Sequence, residues 1–109
     1  MTSDNDLMAL RDELREFGAV RGWRVYHTPK NLAMALIVEA AELVEHFQWA
    51  TPEESAALPP DKAAAVQDEV ADVLIYLVEL ADVLGVDLIQ AAHAKIAKNA
   101  LKYPVPGRL

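Results

Sequence analysis

The sequence contains no cysteine, and it has only four glycines and six prolines among its 109 residues. The lack of cysteine excludes disulfide bonds and thiolate-bound metals, and it fits a cytoplasmic protein. The prolines lie at 29, between 52 and 60, and at 104 and 106, which leaves long stretches free to be helical. The sequence shows neither the alternation typical of strands nor an internal repeat. These features predict an all-α fold, a bundle of about four helices, with residues 1–109 forming a single domain.

The chain is also poor in positive charge and in long hydrophobic runs. Ten Lys and Arg residues stand against 17 Asp and Glu residues, giving a net charge of −7. This balance argues against binding to nucleic-acid phosphates. The acidic, amphipathic first 17 residues do not resemble a signal peptide, and the most apolar run, 70–84, is interrupted by three acidic residues. We therefore expect no nucleic acid and no membrane as a partner.

Local signals predict where the helices begin and end. The first should run to about residue 21, and the last from a cap at Asp87 to about residue 102. The second is expected to begin at Pro29, an N1 proline preceded by a cap at Thr28, and to reach Trp49. The third is expected to begin at a cap on Asp61 and to end near Gly85. Its unusually wide apolar surface predicts burial on more than one side, as in a subunit interface.

The second and third helices each carry a pair of carboxylates. Glu39 and Glu42 are three residues apart, as are Glu69 and Asp72, and 26 residues separate the two pairs. On a helix, side chains at this spacing share one face about one turn apart. We therefore expect the two pairs to face each other.

A metal site is one interpretation of these pairs, and solvated surface carboxylates are the other. Both helices are strongly apolar, and their only basic residues, Lys30 and Lys62, stand at their beginnings. Burying four carboxylates without a cation would be very unfavourable. A hard divalent cation such as magnesium or manganese would offset that cost. The residues alone leave both interpretations open.

The pattern of carboxylates resembles a known family. The sequence ExxE, followed after a gap by ExxD, is similar to the signature of the MazG-like superfamily of all-α nucleoside triphosphate pyrophosphohydrolases. The resemblance is strongest to its dCTP pyrophosphatase branch. It is carried by three stretches of the chain: RGWRVYHTPKNLAMALIVEAAELVEHFQW (21–49), EVADVLIYLVELADVLGVDL (69–88) and KIAKNALKYPV (95–105).

The resemblance implies a magnesium-dependent enzyme, with Mn²⁺ as a substitute metal. Such an enzyme hydrolyses a (deoxy)nucleoside triphosphate, here dCTP or a modified dCTP, to the monophosphate and pyrophosphate. The metal ligands and catalytic residues would be Glu39, Glu42, Glu69 and Asp72. The substrate contacts would be Trp23 and Trp49 at the base, Lys95, Asn99, Lys102 and Tyr103 at the triphosphate, and His27, Lys30, Asn31 and Tyr76 along the site.

Assembly and specificity are less narrowly defined. The resemblance implies a homodimer or homotetramer, which agrees with the wide apolar surface of the third helix. Val38 precedes Glu39 where many MazG proteins have a second glutamate, a difference shared by the dCTP branch. Leu14 stands where the animal dCTP enzymes have a pocket histidine, so the base preference stays open. A broad-specificity dNTP pyrophosphohydrolase and a non-catalytic nucleotide-sensing or interaction module are the alternatives.

Overall fold

The computed structural model describes residues 3–107, and their side chains from residue 6 onward. The helices are α1 (Ser3–Val20), α2 (Pro29–Glu45), α3 (Pro52–Ser55), α4 (Pro60–Leu84) and α5 (Leu88–Lys102), with a 3₁₀ turn at Arg24–Tyr26. The predicted all-α fold is confirmed, with four long helices and one short one in this part of the chain. None of the described helices is long and apolar enough to cross a membrane.

Most helix boundaries follow from local capping. The Thr28 side chain accepts a hydrogen bond from the backbone N–H of Asn31, and Asp87 does the same for Gln90 at the start of α5. These bonds pair amide groups that have no partner within the helix. At the other end of α4, Gly85 adopts φ 69°, which glycine reaches without steric cost. The predicted ends of α4 and α5 are confirmed.

Two predicted boundaries are wrong. Helix α2 ends at Glu45, four residues before Trp49, because the following amides bond three residues back, as in His46 N–H to the Leu43 carbonyl. This tighter turn takes the chain out of the α-helix without a glycine or proline. Helix α4 begins at Pro60 with Pro59 as its N-cap, so Asp61 lies in the first turn rather than at the cap. An acidic residue is favourable there because of the helix dipole.

Helix α4 is the element on which α1 and α2 both pack. Among the described residues, the buried apolar side chains are Leu32 of α2 and Val78 and Ala81 of α4. Arg15 of α1 donates two hydrogen bonds, of 2.6 and 2.9 Å, to the Asp82 carboxylate of α4. These contacts fix α1 and α2 relative to α4, and so position the side chains on the facing surfaces of α2 and α4.

The single chain buries little apolar surface for its length. Its radius of gyration is 17.2 Å, whereas a compact chain of about 100 residues has roughly 13 Å. Val70, Leu74 and Leu77 of α4 are exposed, and α5 has only sparse contacts with the other described helices. Large exposed apolar surfaces of this kind are typical of protein interfaces.

Candidate metal and substrate site

Three of the four predicted carboxylates meet between α2 and α4. One ligand oxygen from each of Glu39, Glu69 and Asp72 lies within 4.8 Å of the others. Glu39 is in the middle of α2, and the other two are one turn apart on α4, so the packing of these helices brings them together. The fourth, Glu42, lies one turn along α2 and contacts the same group, since it acts on both Glu39 and Glu69. We call these four residues the carboxylate cluster.

The cluster has carboxylate oxygens that no protein group satisfies. Oε2 of Glu39 and Oε2 of Glu69 are buried and accept no hydrogen bond from the described residues. Buried carboxylate oxygens are normally hydrogen-bonded or paired with a cation, because leaving them unpaired is costly. Two such atoms in one cluster indicate a partner that the chain itself does not supply.

The pKa values of two carboxyl groups in the cluster are raised. A hydrogen bond with the Glu42 carboxyl, followed by burial and by repulsion from its carboxylate neighbours, raises the pKa of Glu39 to about 7. The pKa of Glu69 is also raised, by burial first and then by Glu42 and Asp72, while His46 acts in the opposite direction. In the absence of a bound cation, Glu39 therefore binds a proton near neutral pH, and Glu69 binds one more readily than an ordinary glutamate does.

The donor set fits a hard divalent cation. All of its ligand atoms are carboxylate oxygens, which Mg²⁺ and Mn²⁺ prefer over the nitrogen and sulfur ligands typical of zinc. The groups that act on Glu39 are all carboxylates, so no lysine or arginine of the described chain neutralises it. The unsatisfied oxygens and the lack of a protein cation both fit the predicted metal site.

Two further side chains border the cluster on the same helix faces. Burial and the charges of Glu79, Glu39 and Asp72 raise the pKa of Tyr76, which places its hydroxyl near the carboxylates. His46, just after α2, is near enough to Glu69 to lower its pKa. Both residues are therefore positioned to contact a ligand of the cluster or to support one of its carboxylates.

His27 and Asn31 have structural partners within the chain. His27 Nε2 lies 3.8 Å from Glu79 Oε2, and its ring lies against Gly18 of α1. The Asn31 side chain donates a hydrogen bond of 2.9 Å to the Tyr26 carbonyl. These contacts hold the segment between α1 and α2 against α4. A direct contact of either residue with substrate stays a prediction.

The predicted base-binding tryptophans lie outside the long helices. Trp23 precedes the 3₁₀ turn and is 46% exposed, and Trp49 follows α2 and is 89% exposed. Neither side chain belongs to the core of the single chain. Lys30 is exposed in the first turn of α2. All three side chains are accessible to a ligand.

The predicted triphosphate contacts lie on α5 and at its C-cap. No lysine is among the groups that shift the pKa of Glu39 or Glu69, and α5 packs only sparsely on the other described helices. Lys102 instead lies with its ammonium group 5.3 Å from the Tyr103 ring centroid. Lys95 and Asn99, like these two, therefore stay a prediction whose geometry depends on the position of α5 in an assembly.

Sequence reasoning missed the pairing partners of the charged residues. The Arg15–Asp82 and His27–Glu79 contacts join residues far apart in the chain, and helix periodicity does not show such pairs. It also missed Phe17 and Arg21, which contact Trp23 at the end of α1. The spacing of Phe17, Arg21 and Trp23 around Gly22 was the available signal, because a glycine there turns the chain back over the helix.

The fold and cluster define an all-α protein with a group of carboxylates that could hold a metal ion, and comparison with known proteins identifies its family. The profile of the MazG-like family matches residues 34–108, which include the whole cluster and α5. The chain belongs to the MazG-like family.

Curated relatives and a solved structure are similar over most of the chain. Mouse dCTP pyrophosphatase 1 is 49% identical over 92 residues, 83% of this chain and 54% of that protein. The bovine protein of the same name is 44% identical over 106 residues, 95% of this chain and 63% of that protein. The chain thus spans little more than half of these relatives' length. The crystal structure of a pyrophosphatase from Archaeoglobus fulgidus aligns with a TM-score of 0.86 and 46% identity, covering 92% of this chain and 94% of that one.

Proposed function

We propose that the protein is a magnesium-dependent nucleoside triphosphate pyrophosphohydrolase that acts on dCTP or a modified dCTP. The observation that carries the proposal is the convergence of Glu39, Glu69 and Asp72, with buried oxygens that lack a protein partner. The names of the mouse and bovine relatives and of the archaeal structure favour this activity over a non-catalytic nucleotide-binding module. Clearance of unwanted nucleotides is the corresponding role.

In this proposal Glu39, Glu42, Glu69 and Asp72 hold the metal. Bound there, a magnesium ion, or manganese in its place, neutralises the carboxylates, polarises the phosphate oxygens and increases the acidity of water. The all-oxygen donor set supports this assignment. No Ser, Cys or other covalent nucleophile is required, since phosphoryl transfer depends mainly on placement and electrostatics.

The chain's own residues would place the substrate and accept a proton. A water oxygen attacks the α-phosphorus, the bond from that phosphorus to the oxygen bridging to the β-phosphorus breaks, and pyrophosphate leaves. A carboxylate of the cluster takes the proton of the attacking water. Tyr76 borders this group, while Lys95, Asn99, Lys102 and Tyr103 would contact the phosphates.

We also propose that the protein works as a homodimer or homotetramer, residues 1–109 forming one domain per chain. The exposed apolar residues of α4 and the sparse contacts of α5 support this, because the single chain leaves both unburied. An interface across α4 would bring a second chain, and with it a second α5, towards the cluster. The cytoplasm is the proposed compartment, where nucleoside triphosphates are available.

A nucleotide panel tests the activity. Purified protein is incubated with dCTP, 5-substituted dCTP, dUTP or dTTP, with and without Mg²⁺, and pyrophosphate release is measured. We expect metal-dependent release, fastest with dCTP or its modified forms. Equal rates with every base would favour the broad-specificity alternative. No release from any nucleotide, with Mg²⁺ still bound, would favour the non-catalytic module. Light scattering measures the assembly.

A further inference from the structure

Three side chains at the end of α1 form a continuous stack. The Arg21 guanidinium carbon lies 3.5 Å from the Phe17 ring centroid. The Phe17 and Trp23 rings meet edge to face, with centroids 5.6 Å apart and planes at 67°. Arg21 is also 6.0 Å from the Trp23 ring. We call Phe17, Arg21 and Trp23 the aromatic stack.

The backbone holds the stack in one arrangement. The Trp23 N–H donates to the Gly18 carbonyl (3.0 Å), and the Gly22 N–H donates to the Ala19 carbonyl (3.2 Å). With Gly22 at φ 69°, this is a Schellman motif, in which an apolar contact commonly forms between the residue after the glycine and the last helical turn. Here that contact is Trp23 on Phe17. Arg21 also donates a hydrogen bond of 3.0 Å to the Phe17 carbonyl, which fixes its own position.

The exposure of the stack distinguishes it from a simple helix cap. Phe17 and Trp23 are 45% and 46% exposed, so about half of each ring system stays accessible. An aliphatic side chain would be sufficient for an apolar cap contact. Here the Trp23 indole meets the Phe17 ring edge to face, and Arg21 covers the Phe17 ring. Together these contacts fix the orientation of the indole. A half-exposed indole in a fixed orientation is suited to stack on a planar ligand.

The position of the stack fits a contact with the nucleoside rather than the phosphates. The segment that carries Trp23 is tied to the first turn of α2 by the hydrogen bond from Asn31 to the Tyr26 carbonyl. Glu39 lies eight residues further along α2, which corresponds to about 12 Å of helix. A nucleotide whose phosphates lie at the carboxylate cluster would extend its base away from that cluster, and the start of α2 lies in one of the two directions along that helix.

From this geometry we infer that Phe17 and Arg21 are positioning residues, which hold the Trp23 indole in the orientation that receives the base of the substrate. The inference rests on the proposed function, because it takes Trp23 as a base contact. It predicts that both residues affect substrate affinity through Trp23 while leaving the chemical step at the cluster unchanged.

The first experiment measures kinetics of F17L, R21Q and R21K in the otherwise unchanged protein. We expect F17L and R21Q to raise KM for dCTP by about threefold to tenfold, with kcat changed by less than about twofold. R21K keeps a cation over the ring and should recover part of the loss. The control is R24Q, which removes an exposed arginine of the same segment that stacks on no aromatic ring of the described residues; its KM should stay near that of wild type.

The second experiment observes the indole directly. The sequence has two tryptophans, so W49F leaves Trp23 as the only one, and excitation at the red edge of indole absorption avoids the three tyrosines. In that background F17L and R21Q should lower the fluorescence anisotropy of Trp23 and increase its quenching by acrylamide, while R24Q should change neither. R21Q serves alone if F17L does not fold, because it alters only an exposed side chain.

The outcomes separate this inference from the proposed function. If wild type releases pyrophosphate but F17L and R21Q keep wild-type KM and anisotropy, the inference is wrong. It is also wrong if kcat and Tm fall together with KM unchanged, as a purely structural cap would predict. If wild type hydrolyses no nucleotide, the proposed function fails, and the anisotropy still decides whether Phe17 and Arg21 orient Trp23.

Discussion

Two regions of α4 carry acidic groups in opposite situations. Near its C-terminal end, Asp82 is paired with Arg15 of α1, and this hydrogen-bonded pair lowers the pKa of Asp82. Near its middle, Glu69 and Asp72 meet Glu39 of α2, and the pKa values of Glu39 and Glu69 are raised. Among the described residues, an arginine pairs with the first acidic group, whereas no lysine or arginine acts on Glu39 or Glu69 of the second. In the proposed function, Asp82 serves the fold, whereas the carboxylate cluster binds a metal ion from solution.

Removing a cluster carboxylate should have the largest effect on activity. We expect E69Q or D72N to reduce pyrophosphate release by about 100-fold or more, since even residues that only support metal ligands cost about 10- to 100-fold. The measurement is turnover of dCTP with Mg²⁺, with circular dichroism to verify the fold. D68N is the matched control, because Asp68 is exposed and adjacent to Glu69 in the sequence. Full activity of E69Q would contradict the metal assignment.

A lysine introduced into the cluster should neutralise its carboxylates, as Arg15 does for Asp82. Glu42 is a main cause of the raised pKa of both Glu39 and Glu69, so E42K replaces a repelling charge by an attracting one. We expect the metal-free variant to have a higher Tm than metal-free wild type, to lose the increase in Tm on adding Mg²⁺, and to be inactive. Thermal unfolding with and without Mg²⁺ measures this. A lower Tm of metal-free E42K, with its fold intact, would show that repulsion in the cluster is unimportant.

The stability of the metal-free protein should decrease as the pH rises, because of the raised pKa of Glu39. The pKa of Glu39 is about 7 in the folded chain and 4.5 as a reference for the unfolded one. Between these values the folded state binds more protons, so the free energy of unfolding falls as pH rises through this window. The Tm of the metal-free protein should therefore decrease from pH 5.5 to pH 8, and Mg²⁺ should raise Tm more at pH 8. In E39Q the decrease of Tm with pH should be smaller. If the decrease were the same as in wild type, groups other than Glu39 would be its cause.

Breaking the Arg15–Asp82 pair should have the smallest effect. Arg15 is exposed, and such ion pairs contribute little to stability. We expect R15Q to lower Tm by no more than about 5 °C, to make Tm less sensitive to salt, and to leave kcat for dCTP near that of wild type. Loss of activity in R15Q without loss of the fold would mean that this end of α4 also serves the site.

Local signals predicted much of the fold. Thr28 with Pro29, and Gly85, define helix ends through bonds to residues three or four positions away, and these predictions are confirmed. The predicted end of α2 was wrong because no glycine or proline before residue 52 indicates where the helix stops. The chain leaves the helix after Glu45 through turns with hydrogen bonds to residues three positions back. The start of α4 was wrong because Pro59 holds the extended backbone that was expected of Asp61.

The candidate site was predictable where helix periodicity determines it. Glu39, Glu69 and Asp72 could be placed together from spacing alone, because two packed helices bring such faces into contact. The partner of His27, Glu79, was not predictable, because it depends on how the segment after α1 lies on α4. The position of the α5 residues relative to the cluster was also not predictable from the sequence, because α5 makes few contacts with the other described helices of the single chain.

The most direct test of the central claim is a titration of the metal-free protein with Mn²⁺. Electron paramagnetic resonance measures the concentration of the free ion. The account predicts saturable binding to wild type and to D68N. It predicts affinity reduced by at least about tenfold in E69Q and release of a proton on binding near pH 7. Equal Mn²⁺ affinity in E69Q and wild type would contradict the claim that the α2–α4 carboxylates hold the metal.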